Sequence, residues 1–315
     1  MRIGVSTFVT DQGIDPVSLG RAVEERGFES LFLPEHTHIP VSRESPYVPM
    51  RVKAHHVLSE EKVPTTLNAG PLPERYARTP DPFVALAAVA AVTHELLIGT
   101  GILLAAQRDP IILAKQVASL DWLSGGRFVF GVGAGWNREE LRNHGVEPRL
   151  RTGVMREHIL AAKEIWTHDE AEFHGRYVDF APVRSWPKPV QRPWPPVLIG
   201  GEGEASYRHA LEYGDGWAPI YGGDTAGLVR QIRRYGELAE AEGRSSLPVT
   251  VFWTAPDQQV LEALAEADVH RVLLNLPWAP HDAALRHLDM LAAAMVAFDS
   301  RLTDAPADTA CPRGR

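Results

Sequence analysis

The segment RFVFGVGAG at residues 127–135 sets the pattern that decides the fold. Its first residues are apolar without alternation, which is typical of a strand buried on both faces of a parallel sheet. Gly125 and Gly126, just before the segment, fit the end of a helix, and a further helix can be drawn after it. The segment therefore predicts a parallel strand between two helices.

Seven further apolar runs, rich in β-branched residues, repeat this pattern along the chain. They are RIGVSTF (2–8), SLFLPEH (30–36), LLIGTGILL (96–104), PVLIGG (196–201), WAPIY (217–221), PVTVFW (248–253) and RVLLNLP (271–277). A helix can be drawn after each run, the last over 281–298. Eight strand–helix units in 315 residues predict an α/β fold of the (β/α)8 TIM-barrel type. The alternative is a doubly wound open sheet, which usually has fewer strands per domain.

Two kinds of signal mark the helix boundaries. Asp–Pro pairs at 15–16, 81–82 and 109–110 predict helix starts, because Asp caps the free amides and Pro suits the first helical position. Glycines predict left-handed C-caps at the helix ends. These glycines are Gly27, Gly125, Gly126, Gly214 and Gly243.

Two connections, after the second and fourth strands, are too long for simple loops. Residues 37–80 are rich in proline, and residues 138–195 contain a predicted helix over 151–167 and a hairpin at AEFHGRYVDF (171–180). Both insertions follow strand ends, where a barrel places its active site. We expect a single domain over residues 1–300 and a disordered tail over 301–315.

The composition narrows the class of protein. A net charge of −8 argues against a nucleic-acid partner, and no apolar run approaches the length of a membrane span. The chain begins directly with a strand, so we expect no signal peptide. Cys311 is the only cysteine, which excludes a disulfide within the chain and fits a reducing, cytoplasmic setting. We expect a cytoplasmic enzyme.

The glycines at 131, 133 and 135 raise the question of a dinucleotide site. A Rossmann fingerprint needs G-x-G-x-x-G, and Trp136 stands where the third glycine would be. Two explanations remain open. Either the missing side chains let a flat or bulky ligand approach the backbone, or they allow tight packing inside the barrel.

Four segments together carry a resemblance to a known family. GVGAGWNREEL (131–141), LFLPEH (31–36), LLIGTGI (96–102) and PVLIGGEGE (196–204) resemble the bacterial luciferase-like superfamily, and more narrowly its branch that uses the deazaflavin coenzyme F420. The resemblance covers about residues 1–298, in the same order. It implies a (β/α)8 barrel with insertions, in agreement with the strand count.

The resemblance also implies which residues form the site. Glu35 and His36 would lie beside the reactive face of the coenzyme ring, where imidazole suits proton transfer near neutral pH. Gly101 and Ile102 would form a bulge that backs the ring, and the family commonly has a cis peptide there. The remaining cofactor-binding positions are Gly135, Trp136, Asn137, Gly200 and Gly201, the two last at a helix N-terminus that suits a phosphate.

Three functions are compatible with these features. The first is an oxidoreductase that transfers a hydride between F420 and a small organic substrate. Such relatives are commonly homodimers, so we expect a homodimer here too. The second is an FMN-dependent luciferase-like monooxygenase that uses oxygen; the segment GVGAGW, where such relatives often have NVVT, favours the first. The third is a non-catalytic flavin- or deazaflavin-binding protein, and His36 counts against it.

A metal-dependent barrel hydrolase is the other chemistry that the sequence raises. His-x-His at 36–38 and the histidine pair at 55–56 resemble part of such a site. A metal would need further ligands at later strand ends, and none is present there. We therefore expect no catalytic metal.

Overall fold

The computed structural model describes residues 1–41, Ser45, 72–244 and 247–304. Within these residues the chain forms ten strands. They are β1 (Arg2–Ser6), β2 (Ser30–Leu33), β3 (Leu97–Thr100), β4 (Phe128–Val132), β5 (Ala171–His174), β6 (Asp179–Val183), β7 (Val197–Gly200), β8 (Gly216–Ala218), β9 (Thr250–Thr254) and β10 (Arg271–Asn275).

Eight of these strands form one parallel sheet that closes on itself. The neighbours run β8-β7-β4-β3-β2-β1-β10-β9, and parallel bridges from Trp217 to Val249 and from Ile220 to Phe252 join the β8 and β9 ends. β5 and β6 form a separate antiparallel hairpin. The predicted TIM barrel is thus confirmed, and every strand of the barrel lies within or overlaps a predicted run.

Nine α-helices surround the barrel in the described part of the chain. They are α1 (Pro16–Glu25), α2 (Pro82–Ala90), α3 (Pro110–Leu123), α4 (Arg138–Asn143), α5 (Arg151–Thr167), α6 (Gly203–Tyr213), α7 (Thr225–Ala241), α8 (Gln258–Glu266) and α9 (His281–Asp304). Each barrel strand is followed by one long helix, and the short α4 is additional. None of the described helices is long and apolar enough to cross a membrane.

The predicted Asp–Pro starts are confirmed at α1, α2 and α3. The carboxylate of Asp15 accepts a hydrogen bond from the Ser18 amide at 2.9 Å. Asp81 accepts from the amides of residues 83 and 84, and Asp109 from those of residues 111 and 112. In each case the following proline occupies the first turn, where its missing N–H costs no hydrogen bond.

The predicted left-handed C-caps are confirmed at four glycines and wrong at one. Gly27, Gly125, Gly126 and Gly243 have φ between 66° and 84°. Gly214 instead has φ −96° and ψ 173°, an extended conformation. A Cβ there would lie 2.6 Å from Ile199 Cγ1, so glycine is needed at this position because α6 ends close against β7.

The barrel interior is packed with side chains. Six buried residues from different strands form a cluster of their own: Phe32, Val129, Leu198, Ala218, Phe252 and Leu273. The rings of Phe32 and Phe252 meet edge to face at 5.5 Å, and a Cβ on Gly101 would lie 2.3 Å from the Phe252 ring. These side chains therefore fill the middle of the barrel.

The two predicted insertions are described to different extents. In the second, α5 spans the predicted 151–167, and the hairpin β5–β6 forms where it was predicted. Of the first, 37–80, only 37–41, Ser45 and 72–80 belong to the described residues. The helix predicted over 281–298 continues to residue 304, and the rest of the predicted tail, 305–315, lies outside the described residues.

Candidate active site

The predicted site residues gather at one edge of the barrel, here called the mouth. They follow the carboxyl ends of β2, β3, β4 and β7, which are consecutive neighbours in the sheet. Because parallel strands end at the same edge, segments 35–36, 101–102, 135–137 and 200–201 lie side by side there. This edge is the one at which barrels carry their active sites.

A bulge after β3 forms the centre of the mouth. The peptide bond between Gly101 and Ile102 is cis, as the resemblance implied. Backbone hydrogen bonds clamp the bulge on both sides: the Gly101 amide donates to Leu33 of β2 at 2.8 Å, and the Leu103 amide donates to Gly131 of β4 at 2.8 Å. The bulge is thus fixed between two neighbouring strands.

The bulge and the strand end before it explain two of the alternating glycines, Gly131 in β4 and Gly133 just after it. A Cβ on Gly131 would lie 2.1 Å from the Thr100 carbonyl oxygen, and one on Gly133 would lie 1.9 Å from Ile102 Cδ1. Gly200 on β7 serves the same purpose, since its Cβ would lie 2.9 Å from Ile102 Cγ2. Of the two explanations left open by the sequence, tight packing therefore holds for these glycines. The half-buried side chain of Ile102, which lies at the mouth, approaches Gly133 and Gly200, whereas the Thr100 backbone approaches Gly131.

His36 is paired with a buried carboxylate. Its Nδ1 lies 2.9 Å from Oε2 of Glu140, and the two residues are only 8% and 1% exposed. With Nδ1–H donating to the carboxylate, Nε2 carries the lone pair. No described residue binds Nε2. The pair is therefore arranged for proton transfer through Nε2.

The sequence analysis missed Glu140, although its position carries a signal. Asn137 and Glu140 have the spacing of a capping box, in which both side chains bind the backbone of a helix start. Asn137 does cap α4, accepting from the Glu140 amide at 3.3 Å. The Glu140 carboxylate instead turns to His36, and its Oε1 has no hydrogen-bond partner among the described residues.

Glu35, which was predicted to lie beside the coenzyme ring, has both of its carboxylate oxygens engaged by the protein. It is 4% exposed; Oε2 accepts from the Leu104 amide at 2.7 Å, and Oε1 binds the guanidinium of Arg108. Burial raises the pKa of Glu35, although Arg108 opposes the shift. Both of its oxygens hold the segment that follows the bulge, so Glu35 positions that segment.

Arg108 joins this anchor to helix α2. Its guanidinium also binds Asp81 at 2.8 Å. Burial by itself would lower the pKa of Arg108, but the carboxylates of Glu35 and Asp81 reverse that effect and raise it. The guanidinium therefore stays charged, and the carboxylates around it are paired.

Five rings form a continuous aromatic wall along one side of the mouth. In order they are Trp253, Phe8, Tyr76, His36 and Trp136, with neighbouring centroids 6.1, 4.8, 5.3 and 6.0 Å apart. The sequence analysis did not identify Phe8, Tyr76 or Trp253. The sequence did indicate a position at the mouth for two of them, because Phe8 and Trp253 are the last residues of their predicted strands.

The N-terminus of α6 lies beside the mouth, after β7. Gly201 and Gly203 have φ values of 134° and 76°, and a Cβ on Gly203 would meet nothing within 4 Å. No side chain among the described residues caps this helix, whereas α1, α2, α3, α7 and α8 are each capped by an aspartate. The free amides favour an anion, and Glu204 in the first turn opposes one.

The histidines at 36 and 38 have partners of their own. His36 binds Glu140, and His38 contacts Thr37 and Asn143 at 2.9 and 2.8 Å. No group of three His, Cys, Asp or Glu residues in the described part of the chain is placed to hold a metal ion. The histidine pair at 55–56 lies outside the described residues.

Comparison with known proteins adds the following similarities. A family model described as "Luciferase-like monooxygenase" matches residues 65–304. An uncharacterized protein of Mycobacterium tuberculosis is 38% identical over 295 residues, which cover 93% of this chain and 98% of that protein.

Relatives with assigned activities match shorter parts of the chain. An FMNH(2)-dependent dimethylsulfone monooxygenase of Pseudomonas putida is 33% identical over 196 residues, 59% of this chain and 53% of that protein. An F420-dependent glucose-6-phosphate dehydrogenase of Amycolatopsis mediterranei is 34% identical over 134 residues, 41% and 40% of the two chains. The two relatives use different coenzymes.

A solved structure shares the fold over nearly the whole chain. It is an F420-dependent secondary alcohol dehydrogenase in complex with an F420–acetone adduct. Its TM-score is 0.70 with 16% identity, over 95% of this chain and 99% of that one. The similarity supports the barrel with its added segments.

Proposed function

The chain belongs to the luciferase-like monooxygenase family, and we propose that within it this protein transfers a hydride between coenzyme F420 and a small organic substrate. Enzymes of this family use either F420 or FMN, so the proposal commits to F420 as the coenzyme of this protein. The observation that carries it is the His36–Glu140 pair at the mouth. Hydride transfer to or from an alcohol or carbonyl compound is accompanied by transfer of a proton, which a positioned imidazole can provide.

The residues at the mouth fit a planar ring with a polar, anionic tail. The bulge at Gly101 and Ile102 would support the ring from below, with Trp136 beside it. Asn137 is 1% exposed and its Nδ2 has no partner among the described residues, so it fits the hydroxyl groups of a polyol chain. When bound, F420 supplies the carbon that accepts or donates the hydride.

The tail of the coenzyme would continue toward β7. Gly135, Gly200 and Gly201 lie at or just after the strand ends along that path, and the uncapped amides at the start of α6 suit a phosphate. The negative charge of Glu204 makes this end of the site weaker than an ideal phosphate site.

The roles of the protein side chains follow from their contacts. His36 would take or give the substrate proton at Nε2. Glu140 holds the Nδ1–H and stabilises the imidazolium that forms when Nε2 gains a proton. The aromatic wall limits the access of water to His36, which strengthens its electrostatic contact with Glu140.

An FMN-dependent monooxygenase is the second candidate. It is favoured by one comparison, because the FMNH(2)-dependent relative matches 59% of this chain and the F420-dependent relative only 41%. The proton-transfer pair and the segment GVGAGW at 131–136 favour F420. A non-catalytic binding protein is disfavoured because it would have no use for a buried imidazole–carboxylate pair.

A side-by-side titration tests the choice of coenzyme. Purified protein is titrated with F420 and with FMN in separate cuvettes, and the quenching of coenzyme fluorescence gives each Kd. We expect F420 to bind at least about tenfold more tightly, equivalent to about 1.4 kcal/mol. Tighter binding of FMN would overturn the proposal and establish the monooxygenase alternative as the better one.

We also propose that the protein is a homodimer. Helices α2 and α3 pack beside each other and expose large apolar side chains: Val84 is 70% exposed, and Ile112, Trp122 and Leu123 are each 58% exposed. Exposed apolar residues that cluster on neighbouring elements are typical of an interface. A second copy of the chain would cover them.

A further inference from the structure

Trp253 lies across the mouth from the bulge. Its strand, β9, is four places away from β3 in the closed ring of eight strands. Trp253 and Ile220, which follows β8, both pack against the buried cluster inside the barrel, and both remain half-buried. These two residues form an apolar floor over the barrel interior, on the side of the mouth that the bulge does not occupy.

The backbone of Trp253 turns its indole toward the interior. Val251 packs among the helices, so strict alternation along β9 would point residue 253 the same way. Instead the β9–β10 register shifts, and Trp253 has φ 57°, a conformation that is rare for bulky residues. Its Nε1 donates to Ser6 Oγ at 3.2 Å. Ser6 shares a face of β1 with Gly4, whose Cβ would lie 2.9 Å from Leu273 of the interior cluster. Such outliers are typical of functional sites.

Phe8 extends the apolar surface toward His36. Its ring centroid lies 6.1 Å from that of Trp253 and 4.8 Å from that of Tyr76. The Tyr76 ring in turn lies 5.3 Å from the His36 ring. Phe8 is half-buried, whereas Tyr76 is buried. The apolar surface that remains open therefore leads from Trp253 through Phe8 toward the imidazole.

A polar side chain that faces the same space is uncharged. Asn275 is the last residue of β10 and lies on the same face of that strand as Leu273, which belongs to the interior cluster. It is the register partner of Ser6. Asn275 is half-buried, and its side-chain amide makes no hydrogen bond with a described residue. This amide suits a neutral polar group.

Three arginines from the segments around His36 and Tyr76 already have partners. Arg108 and Arg78 each bind two carboxylates. The guanidinium of Arg75 lies over the rings of Phe8 and Tyr76, 5.8 and 5.7 Å from their centroids. An anionic substrate on this apolar surface would lose hydration and gain no unpaired cation from these three side chains, which is costly. The surface therefore favours an uncharged molecule.

We propose that the substrate is an uncharged secondary alcohol, or the corresponding ketone, that carries an apolar ring. The ring would lie on Phe8, Trp253 and Ile220, with the oxygen at His36 Nε2. On oxidation, the hydrogen on the alcohol carbon leaves as a hydride to the coenzyme, the hydroxyl proton passes to His36 and a C=O bond forms; reduction is the reverse. The inference rests on the proposed hydride transfer and names the substrate class of that site.

Four alcohols that share a 1-hydroxyethyl group test the class. They are 1-phenylethanol, 1-cyclohexylethanol, 4-(1-hydroxyethyl)benzoate and 2-propanol, and kcat/KM with F420 is measured for each. We expect the two neutral ring compounds to exceed 2-propanol by about tenfold or more, because a ring buries apolar surface that a methyl group lacks. They should exceed the benzoate by a similar factor. A preference for 2-propanol or for the carboxylate would overturn the class and leave hydride transfer intact.

Variants of the apolar surface locate the ring. Phe8→Ala and Trp253→Ala should each lower kcat/KM for 1-phenylethanol by about tenfold or more and change that for 2-propanol little. General damage would lower both values and keep their ratio. Trp186→Ala, in the second insertion and 50% exposed, is the matched control and should keep the ratio. Phe8→Leu and Trp253→Phe replace any alanine variant whose Tm shows that it is unfolded. An unchanged ratio in the folded variants of Phe8 and Trp253 would overturn the proposal.

Binding without turnover separates the substrate class from the reaction. Ligand-observed NMR follows 1-phenylethanol and 4-(1-hydroxyethyl)benzoate with the full-length protein in the absence of F420. We expect 1-phenylethanol to bind more tightly than the benzoate, and Trp253→Ala to weaken it by about tenfold. Such binding, with no turnover of any of the alcohols, would contradict hydride transfer and support the class. If 1-phenylethanol were neither bound nor turned over, the class would be wrong.

Discussion

At the scale of single residues, the proposed chemistry rests on the pairing of His36 with Glu140. A carboxylate that is 1% exposed is costly to bury, and only one of its oxygens has a partner among the residues that the structure describes. We therefore expect Glu140 to contribute more to the proposed reaction than to stability. The informative substitutions are therefore those that separate an effect on turnover from an effect on stability.

Variants of the pair are expected to lose turnover without losing the fold. His36→Asn should lower kcat by about 10²- to 10⁴-fold. Turnover is followed at the F420 absorbance band, with the alcohol or carbonyl compound that the unaltered protein converts fastest. Glu140→Gln should lower kcat less, and Glu140→Asp should recover part of the loss because it keeps the charge.

Stability and coenzyme binding serve as the controls for these variants. Glu140→Gln removes a buried charge, so its Tm should not fall, and its Kd for F420 should match that of the unaltered protein. Full turnover by His36→Asn would contradict the proposed role. A Glu140→Gln protein that unfolds easily would mean that Glu140 acts on structure.

His158 predicts a pH dependence of stability. Its pKa is lowered in the folded protein by burial, so below the ordinary value of 6.5 the unfolded chain binds a proton that the folded chain does not. The free energy of unfolding should therefore fall as the pH drops from 7 to 5, by up to about 1.4 kcal/mol per pH unit from this residue.

Urea unfolding at pH 7 and pH 5 measures this effect. The fall in unfolding free energy between the two pH values should be smaller in His158→Gln, because the variant has no imidazole to protonate. An equal fall in both proteins would show that His158 is not one of the groups responsible.

At the scale of structural elements, the bulge after β3 and the glycines of β4 depend on each other. A Cβ on Gly133 would overlap the end of the Ile102 side chain, at 1.9 Å from Cδ1. Gly133→Ala should therefore displace Ile102 and weaken F420 binding by about tenfold or more, which is about 1.4 kcal/mol.

A double variant distinguishes a local clash from general damage. Ile102→Val removes Cδ1, so adding it to Gly133→Ala should restore part of the F420 affinity. Gly236→Ala in α7 is the matched control, since its Cβ would meet nothing within 4 Å, and it should leave binding unchanged. Loss of affinity that Ile102→Val does not relieve would contradict the packing described here.

The sequence was sufficient for most elements and insufficient for the contacts between them. The eight strands and the Asp-capped helices follow from local patterns of apolar residues and turn chemistry. The reason for Gly133 could not be found locally, because the atom it accommodates belongs to Ile102 in the bulge after β3. The contact between Glu140 and His36 could not be predicted for the same reason, because 104 positions separate the two residues.

At the scale of the whole molecule, the closed barrel carries large exposed apolar side chains on parts of its surface. Helices α2 and α3 expose four of these side chains, Val84, Ile112, Trp122 and Leu123. Burial of this surface in a dimer would place the two barrels with these helices in contact. The mouth residues come from other segments of the chain.

Trp122→Glu is the direct test of the homodimer. A charge at a large apolar contact opposes association, so size-exclusion chromatography with light scattering should find a monomer near the chain mass of 34.7 kDa. Met290→Glu on α9, exposed to a similar extent, should remain dimeric. A monomeric parent protein would refute the dimer, and a dimeric Trp122→Glu would place the interface elsewhere.

The most direct test of the account is a crystal structure of the protein with F420 bound. The account predicts that the deazaflavin ring lies at the mouth over the bulge of Gly101 and Ile102, with the His36 imidazole on its reacting side. A ring bound far from His36 would contradict the proposal that this mouth carries out hydride transfer.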